Sequence, residues 1–152
     1  MRERLLRPEE LDLVRESMQK LSAYHNTVKT HPSFEFRGIY IDITLERLAE
    51  AIPKGESKVK VLEKDGEIIG FAVIELNAET RRGILGWIFV EEPYRGQGHG
   101  GRFMDWAMEE FRAIRAEQID LTVVCGNHAI GLYEKYGFAP RTIQMTRCEK
   151  YR

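Results

Sequence analysis

The chain has 152 residues, of which 43% are apolar and 31% are charged, and its formal net charge is -1. These values predict that residues 1–152 form a single globular domain with a sizeable core. A nearly neutral chain without a long apolar run gives no reason to expect nucleic acid or a membrane as a partner. The N-terminus lacks the apolar core of a signal peptide, and Cys125 and Cys148 form no close-spaced pair. We therefore expect free thiols, no metal and a cytoplasmic location.

The N-terminal part of the chain predicts a strand, a helix and a long connection. Leu5-Leu6 is compatible with a short strand, and apolar residues at helical spacing after Pro8 predict a helix over about 8–21. Residues 22–42 lack a regular pattern and are rich in aromatic and imidazole groups. A connection of this length is usually functional or mobile.

A second helix is predicted from Leu45 to Ile52, where apolar residues again recur at helical spacing. Asp42 or Thr44 is the expected cap, because either side chain can accept a hydrogen bond from the first helical N–H groups. Pro53 is expected to end the helix, since proline has no N–H group to donate.

The central part of the chain predicts antiparallel strands. Ser57–Lys64 and Glu67–Leu76 flank Asp65-Gly66, which is a strong signal for a two-residue hairpin. A polar turn then leads into Ile84–Val90, an apolar run of strand length. The sequence therefore predicts a meander of three strands.

The C-terminal half predicts alternating helices and strands. A helix from Arg102 to about Glu117 is followed by an apolar strand, Ile119–Cys125, which we expect to pair in parallel with the preceding strand. Asn127 can cap a short helix that Gly137 ends. Thr142–Glu149 alternates in polarity and predicts a final strand.

A glycine-rich loop, Arg95–Gly101, connects the Ile84–Val90 strand to the following helix. Its amides and the first free N–H groups of the helix point at one spot, where the helix dipole favours an anion. Glycines let the main chain approach a ligand closely, because no Cβ intervenes. The loop therefore predicts a phosphate-binding site, although glycines also suit a plain tight turn.

Two nucleotide-binding interpretations of this loop are disfavoured. Gly96–Gly101 satisfies the dinucleotide pattern G-x-G-x-x-G, but the expected acid is missing after the next strand, where the chain has Cys125-Gly126-Asn127. The nucleotide P-loop pattern would place Arg102 and Phe103 at its Lys and Ser/Thr positions, which removes the Mg²⁺ ligand.

Two blocks of the chain resemble the GNAT acetyltransferase superfamily. Arg95, Gly98 and Gly100 match the core of its motif A, [RQ]-x-x-G-x-[GA], and Asn127–Phe138 resembles its motif B. The resemblance implies an α/β fold with a mixed, mostly antiparallel sheet of six or seven strands flanked by helices. It also implies that the cofactor lies in a splay between strands 4 and 5.

The cofactor that the resemblance implies is acetyl-coenzyme A, without a metal. Amides of the glycine loop would hold the pyrophosphate, and the strand edge, opened by a bulge near Ile88, would pair with the pantetheine amides. The residues that the resemblance assigns to this cofactor are Phe89, Val90, Arg95, Gly96, Gln97, Gly98, His99, Gly100, Gly101 and Asn127.

The reaction that the resemblance implies is direct attack of a primary amine on the thioester in a ternary complex. Tyr133 matches the general acid that protonates the departing thiolate, and an N–H near Val90 is the expected oxyanion donor. The strand before the loop carries no glutamate or histidine as a general base. Candidates from elsewhere are Glu75, which is the one assigned, and Glu92, His25 and His31.

The resemblance therefore predicts an acetyl-CoA-dependent N-acetyltransferase. Transfer of a longer acyl group is an alternative within the same enzyme class. The missing base motivates an alternative, a non-catalytic acyl-CoA-binding or regulatory module. Cys125 has no evident His/Asp partner, which disfavours a covalent cysteine route. The acceptor, a small amine or a peptide N-terminus, is expected beside residues 22–42 and Ala139-Pro140-Arg141. A homodimer is also expected.

Overall fold

Five strands form one sheet, in the order in which they occur along the chain. They are β1 (Arg2–Leu5), β2 (Ser57–Lys64), β3 (Glu67–Asn77), β4 (Arg82–Val90) and β5 (Gln118–Leu121). Neighbouring strands from β1 to β4 are antiparallel, and β5 is parallel to β4. The computed structural model describes residues 1–28, 31–32, 34, 39–149 and 151.

Helices cover both faces of this sheet. The α-helices are α1 (Arg15–Thr27), α2 (Ile39–Ala51), α3 (His99–Ala113) and α4 (Ala129–Lys135). Short 3-10 helices cover Pro8–Val14, Ile52–Lys54 and Glu92–Tyr94. Within the described residues, no helix is both long enough and apolar enough to cross a membrane.

The core has two layers, because alternate side chains of each strand point to opposite faces of the sheet. The layer beneath α1 and α2 includes Val14, Met18, Leu48, Val59, Phe71 and Val73. The layer beneath α3 and α4 includes Ala72, Ile74, Leu85, Met104, Ala107 and Phe111. Ala72 and Ile74 alternate with Phe71 and Val73 along β3, which is the period of two expected for a strand covered on both sides.

The hairpin between β2 and β3 is confirmed. Asp65 and Gly66 have φ values of 52° and 80°, which are the left-handed values that a two-residue turn of type I′ requires. The predicted mixed, mostly antiparallel sheet flanked by helices is confirmed as well. Its described residues form five strands, which is fewer than the predicted six or seven.

The strand predicted over Thr142–Glu149 is absent, and this segment lies exposed without regular structure. The alternating pattern provides the apolar side chains for a strand but no hydrogen-bonding partner. The strand predicted over Ile119–Cys125 is also shorter than expected, because β5 ends at Leu121, where its pairing with β4 ends.

Three helix predictions had wrong boundaries. The helix predicted over 8–21 is a 3-10 turn followed by α1, which extends six residues beyond residue 21 to Thr27.

Helix α2 begins at Ile39, so Asp42 and Thr44 lie inside the helix and not at its cap position. The Thr44 hydroxyl donates to the Tyr40 carbonyl 2.7 Å away. The predicted connection 22–42 is therefore largely helical at both ends, and residues 29–30, 33 and 35–38 of it lie outside the described part. Helix α3 starts at His99 instead of the predicted residue 102.

Candidate functional site

Strands β4 and β5 separate after a short parallel ladder. Their pairing covers only Arg82–Leu85 on β4 and Gln118–Leu121 on β5. From Gly86 to Val90, the described neighbour of β4 in the sheet is β3 alone. The predicted splay between the fourth and fifth strands is therefore present, and it leaves one edge of β4 open to a ligand.

A bulge in β4 marks the point where the strands separate. Val73 of β3 lies opposite Trp87 and Ile74 lies opposite Leu85, so Gly86 is the extra residue. The bulge was predicted near Ile88 and lies two residues earlier. A glycine suits this position, since it bends into a bulge at little steric cost.

The glycine loop forms an open cradle at the start of α3. Gly96 and Gly98 have φ values of 75° and 86°, which glycine adopts readily and other residues rarely adopt. Gly98 caps α3, and its carbonyl accepts from the Arg102 N–H at 3.1 Å. Apart from its chain neighbours, no atom of the described residues lies within 4 Å of a Cβ built on either glycine, so space for a ligand adjoins the first helical amides.

Helix α4 packs closely on the first turn of α3. A Cβ on Gly100 would lie 3.3 Å from Leu132 Cδ2, so a larger residue would require the Leu132 side chain to shift. The Tyr136 hydroxyl lies 2.6 Å from Asp105 Oδ1 and 3.1 Å from the Gly101 carbonyl oxygen. Tyr136 therefore joins the end of α4 to α3.

A cavity of about 380 Å³ lies where the open β4 edge, the glycine loop and the start of α4 meet. Its wall is formed by Leu21, Tyr24, Ile88, Phe89, Val90, Tyr94, Arg95, Gly96, Gly98, His99, Gly100, Asn127, His128, Ala129 and Leu132. The predicted cofactor contacts lie on this wall except Gln97 and Gly101. His128 also lies on it and was not predicted, and so does Tyr24, which belongs to the segment 22–42 expected beside the acceptor.

Arg95 ties the glycine loop to the end of β4. Its Nε donates to the Val90 carbonyl oxygen at 2.7 Å, so this main-chain acceptor of the open edge is already engaged. Its guanidinium carbon lies 5.4 Å from the centre of the Phe89 ring and 5.8 Å from that of Tyr24. These contacts hold a positive charge on the cavity wall, where it can attract an anionic ligand.

His99 is the first residue of α3 and lies on the cavity wall. Both of its ring nitrogens are buried, and neither has a hydrogen-bond partner among the described residues. A buried polar group without a partner destabilises a fold by about 1–3 kcal/mol, so a partner supplied by a bound ligand or an ordered water would stabilise this arrangement.

Asn127 orders the loop between β5 and α4. Its Oδ1 accepts from the Ala129 N–H at 2.8 Å, and its carbonyl accepts from the Ile130 N–H at 3.2 Å. The N-cap residue of α4 is His128, whose side chain makes no capping hydrogen bond, so Asn127 satisfies the first helical N–H from the position before the cap. The adjacent Gly126 has a φ of 86°, and a Cβ there would lie 3.6 Å from the Val28 carbonyl oxygen. The end of α1 thus borders the same loop.

Tyr133 is buried in the layer beneath α3 and α4, with 8% of its surface exposed. Its ring packs edge-on against Phe138, with the ring centres 6.4 Å apart. Burial raises the pKa of Tyr133 to about 12, because the phenolate would lose its hydration. Tyr133 does not form part of the cavity wall, although Ala129, one helical turn earlier, does.

None of the base candidates proposed from the sequence forms part of the cavity wall. Glu75 lies opposite Ile84 in the sheet and makes an ion pair of 3.7 Å with Arg47. Glu92 is exposed in the turn after β4. His25 lies in the last turn of α1, where burial lowers its pKa, and His31 is exposed. The imidazoles on the wall are those of His99 and His128.

Comparison with known proteins assigns this arrangement to a family. Residues 23–138 match the model of the acetyltransferase (GNAT) family. No curated protein matches the chain.

Several solved structures share the fold at low sequence identity. A tetramutant of the BH1408 protein from Bacillus halodurans is 19% identical, with a TM-score of 0.75 over 98% of this chain and 100% of that chain. A predicted acetyltransferase from Clostridium acetobutylicum, solved with acetyl-CoA, is 17% identical, with a TM-score of 0.73 over 97% and 95% of the two chains. The aminoglycoside N-acetyltransferase AAC(6')-Iy, solved with CoA, is 13% identical, with a TM-score of 0.65 over 99% and 100%.

Proposed function

The chain belongs to the acetyltransferase (GNAT) family, and we propose that it transfers an acetyl group from acetyl-CoA to a primary amine by direct attack in a ternary complex. The observation that carries this proposal is the single cavity that joins an open strand edge, a glycine cradle at a helix N-terminus and the capped start of α4. An extended ligand with a pyrophosphate at one end and amides along its arm matches these three elements.

The residues on the wall fit such a ligand. The cradle beside Gly96 and Gly98 leaves open space next to free helical amides, which suits a pyrophosphate. The ring nitrogens of His99 have no hydrogen-bond partner among the described residues, so a ligand oxygen that reached the ring would satisfy one of them. The main chain of Phe89 and Val90 would accept the pantetheine arm, and Arg95 would supply positive charge.

Acetyl-CoA, when bound, supplies an acetyl group activated as a thioester. We assign Tyr133 the role of general acid toward the departing sulfur. The Tyr133 hydroxyl keeps its proton at neutral pH and is available as a donor, and the burial that raises its pKa to about 12 makes it a weaker acid than an exposed tyrosine. A main-chain N–H near Val90 is the proposed donor to the developing oxyanion.

The amine must lose a proton during attack, and we propose His128 as the group that accepts it, directly or through water. His128 is exposed and lies on the cavity wall beside the capped start of α4. It replaces Glu75 in this role, because Glu75 is not part of the wall and is paired with Arg47.

The acceptor is proposed to enter from the side of α1. Tyr24 lies on the wall, and the end of α1 borders the loop at Gly126. A small amine, an aminoglycoside-like amine or a peptide N-terminus would each present the primary amine that the chemistry needs. We place the protein in the cytoplasm, where acetyl-CoA is produced and consumed.

The second candidate function is a non-catalytic acyl-CoA-binding module. It is favoured by the lack of a carboxylate on the described cavity wall and by the burial of Tyr133. Such a module would bind acetyl-CoA and CoA equally well and would not turn over.

A turnover assay separates the two candidates. The full chain is incubated with acetyl-CoA and a panel of polyamines, aminoglycosides and short peptides, and released CoA thiol is measured. Transfer to at least one amine, reduced in Tyr133→Phe but not in a matched Tyr136→Phe variant, supports the enzyme. Tight acetyl-CoA binding without thiol release above the background of the protein-free mixture supports the module.

A further inference from the structure

A second cavity, of about 360 Å³, lies between helix α1 and the hairpin that joins β2 to β3, and the turn after β4 completes its wall. Among the described residues, Tyr94 alone forms part of both this wall and the wall of the cavity beside the glycine loop. The volume is within the range of small-molecule sites, which is about 300–1,000 Å³. The proposed function assigns nothing to this second cavity.

The wall of the second cavity carries an excess of negative charge. Glu16, Glu67 and Glu91 contribute three carboxylates and Lys20 contributes one ammonium group, so the formal charges of the described wall residues sum to -2. Lys20 Nζ lies 2.9 Å from Glu91 Oε1 and 3.5 Å from Glu16 Oε1, so these carboxylates are already placed at the distance that an ammonium group needs. The charge therefore disfavours an anionic ligand and favours a cationic one.

A buried hydroxyl on the same wall points to a ligand independently of the charge. Ser17 and Ser57 are both buried, with 3% and 1% of their surfaces exposed. The Ser57 hydroxyl donates to the Ile74 carbonyl at 3.0 Å, whereas the Ser17 hydroxyl makes no hydrogen bond to a described residue and Ser17 forms part of the cavity wall. A buried hydroxyl is unfavourable without a partner, and a donor bound in the cavity would supply one.

The rest of the wall favours an organic cation over a metal ion. Among the described residues, no group of three carboxylate, imidazole or thiol side chains is placed to hold a metal ion. Leu13 and Pro93 add apolar surface, and Leu13 is 49% exposed. Tyr94 adds an aromatic ring, and Lys64, which is not part of the wall, already lies over this ring at 5.1 Å from its centre. Carboxylates set among apolar groups match ammonium groups on a methylene chain.

We propose that the second cavity binds a polyamine, an organic cation with at least two ammonium groups on an apolar chain, through Glu16, Glu67 and the Ser17 hydroxyl. Glu67 is exposed and forms no ion pair with a described residue, and Glu16 is exposed and lies 3.5 Å from Lys20, so both carboxylates can accept from a bound ammonium group. This inference is independent of the proposed function, because it uses neither the glycine cradle nor the chemistry of acetyl-CoA.

The first test maps spermidine binding to the full chain by NMR titration of the amide chemical shifts. The largest shifts are expected at residues 16–20 and 67–69, which adjoin the second cavity. Largest shifts at residues 96–100 or 127–132, which adjoin the other cavity, would overturn the proposal. The absence of saturable shifts would overturn it as well. Magnesium chloride is the comparator, and magnesium that displaces spermidine at equal concentration would also overturn the proposal, because it would reduce the effect to general screening.

The second test compares spermidine affinities of variants whose folding is checked by thermal melting. Ser17→Ala removes the buried hydroxyl with little risk to α1, because alanine is the strongest helix former. It is expected to weaken binding at least about tenfold, since a hydrogen bond to a charged group is lost. Parent-like affinity of Ser17→Ala would overturn the proposal.

A matched pair of double variants tests the carboxylates. Glu16→Gln/Glu67→Gln is expected to weaken spermidine binding by roughly 2- to 30-fold, because two ion pairs are lost. Glu79→Gln/Glu109→Gln removes two exposed carboxylates that are not part of the cavity wall, and it should retain the affinity of the parent chain. Equal affinities of the two double variants would overturn the proposal, because binding would then follow net charge alone.

Discussion

The imidazole of His99 provides the most discriminating prediction, because its replacement should change stability and affinity in opposite directions. Both ring nitrogens are buried without a partner among the described residues, and the side chain lies on the cavity wall. In the ligand-free protein this arrangement is unfavourable. If a phosphate of the bound cofactor accepts a hydrogen bond from a His99 ring nitrogen, the same buried imidazole becomes favourable in the complex.

The expected magnitudes follow from these two states for His99→Leu. Removing a buried, unsatisfied polar group should stabilise the ligand-free protein by about 1–3 kcal/mol. For a chain of this size that corresponds to a rise in melting temperature of roughly 2–10 °C. Losing a hydrogen bond to a charged group should weaken CoA binding by about 1.5–3 kcal/mol, which is a factor of roughly 10 to 150 in Kd.

The assay combines thermal melting of the ligand-free proteins with calorimetric titration of CoA. His99→Asn is the matched control, because its side-chain amide keeps a donor; it should gain little stability and retain most of the affinity. A His99→Leu protein that is less stable than the parent, and that binds CoA with unchanged affinity, would refute the reasoning. It would mean that His99 contributes by packing alone.

Three further predictions address Tyr133 as the general acid, the packing of β4 against α3 and the side-chain carboxylate of Glu10. Tyr133→Phe should lower kcat by about 10²- to 10⁴-fold with unchanged CoA affinity, and an unchanged kcat in steady-state assays would remove Tyr133 from the role of acid. Gly83→Ala should destabilise the fold by about 1–3 kcal/mol in urea melts, because the new Cβ would lie 2.4 Å from Phe111 Cδ1; a parent-like midpoint would contradict this. The pKa of Glu10 is lowered from 4.5 to about 2, chiefly because the Arg7 main-chain N–H donates to its carboxylate. A lowered native pKa stabilises the fold above the unfolded value of 4.5, and this stabilisation is lost as the pH falls toward 2. Glu10→Gln should therefore lower the melting temperature at pH 7 but not at pH 2, and equal effects at both pH values would contradict the assignment.

Local signals in the sequence predicted those parts of the fold that depend on neighbouring residues. Asp65-Gly66 predicted the hairpin because a two-residue turn needs left-handed φ values. Asn127 predicted the start of α4 because its side chain reaches an N–H two residues away. The glycine cradle was also predicted from a local signal, since the positive φ values of Gly96 and Gly98 depend on these residues themselves.

The parts that the sequence did not predict depend on distant contacts. His128 lies on the cavity wall together with residues of β4 and of the glycine loop, which are far from it in the sequence. The bulge at Gly86 reflects the register between β3 and β4, to which a pattern of apolar residues is insensitive. Thr142–Glu149 carries the pattern of a strand, but periodicity specifies a face to be covered and not the chain that covers it.

The measurement that tests the central claim most directly is calorimetric titration of the full chain with CoA, with NAD, ATP and pantetheine as comparators. If the cavity beside the glycine cradle is a CoA site, CoA should bind with one site per chain. Pantetheine, which lacks the pyrophosphate, should bind more weakly than CoA, and NAD and ATP should not compete with CoA. Absence of CoA binding, or binding of NAD or ATP as tight as that of CoA, would contradict the account.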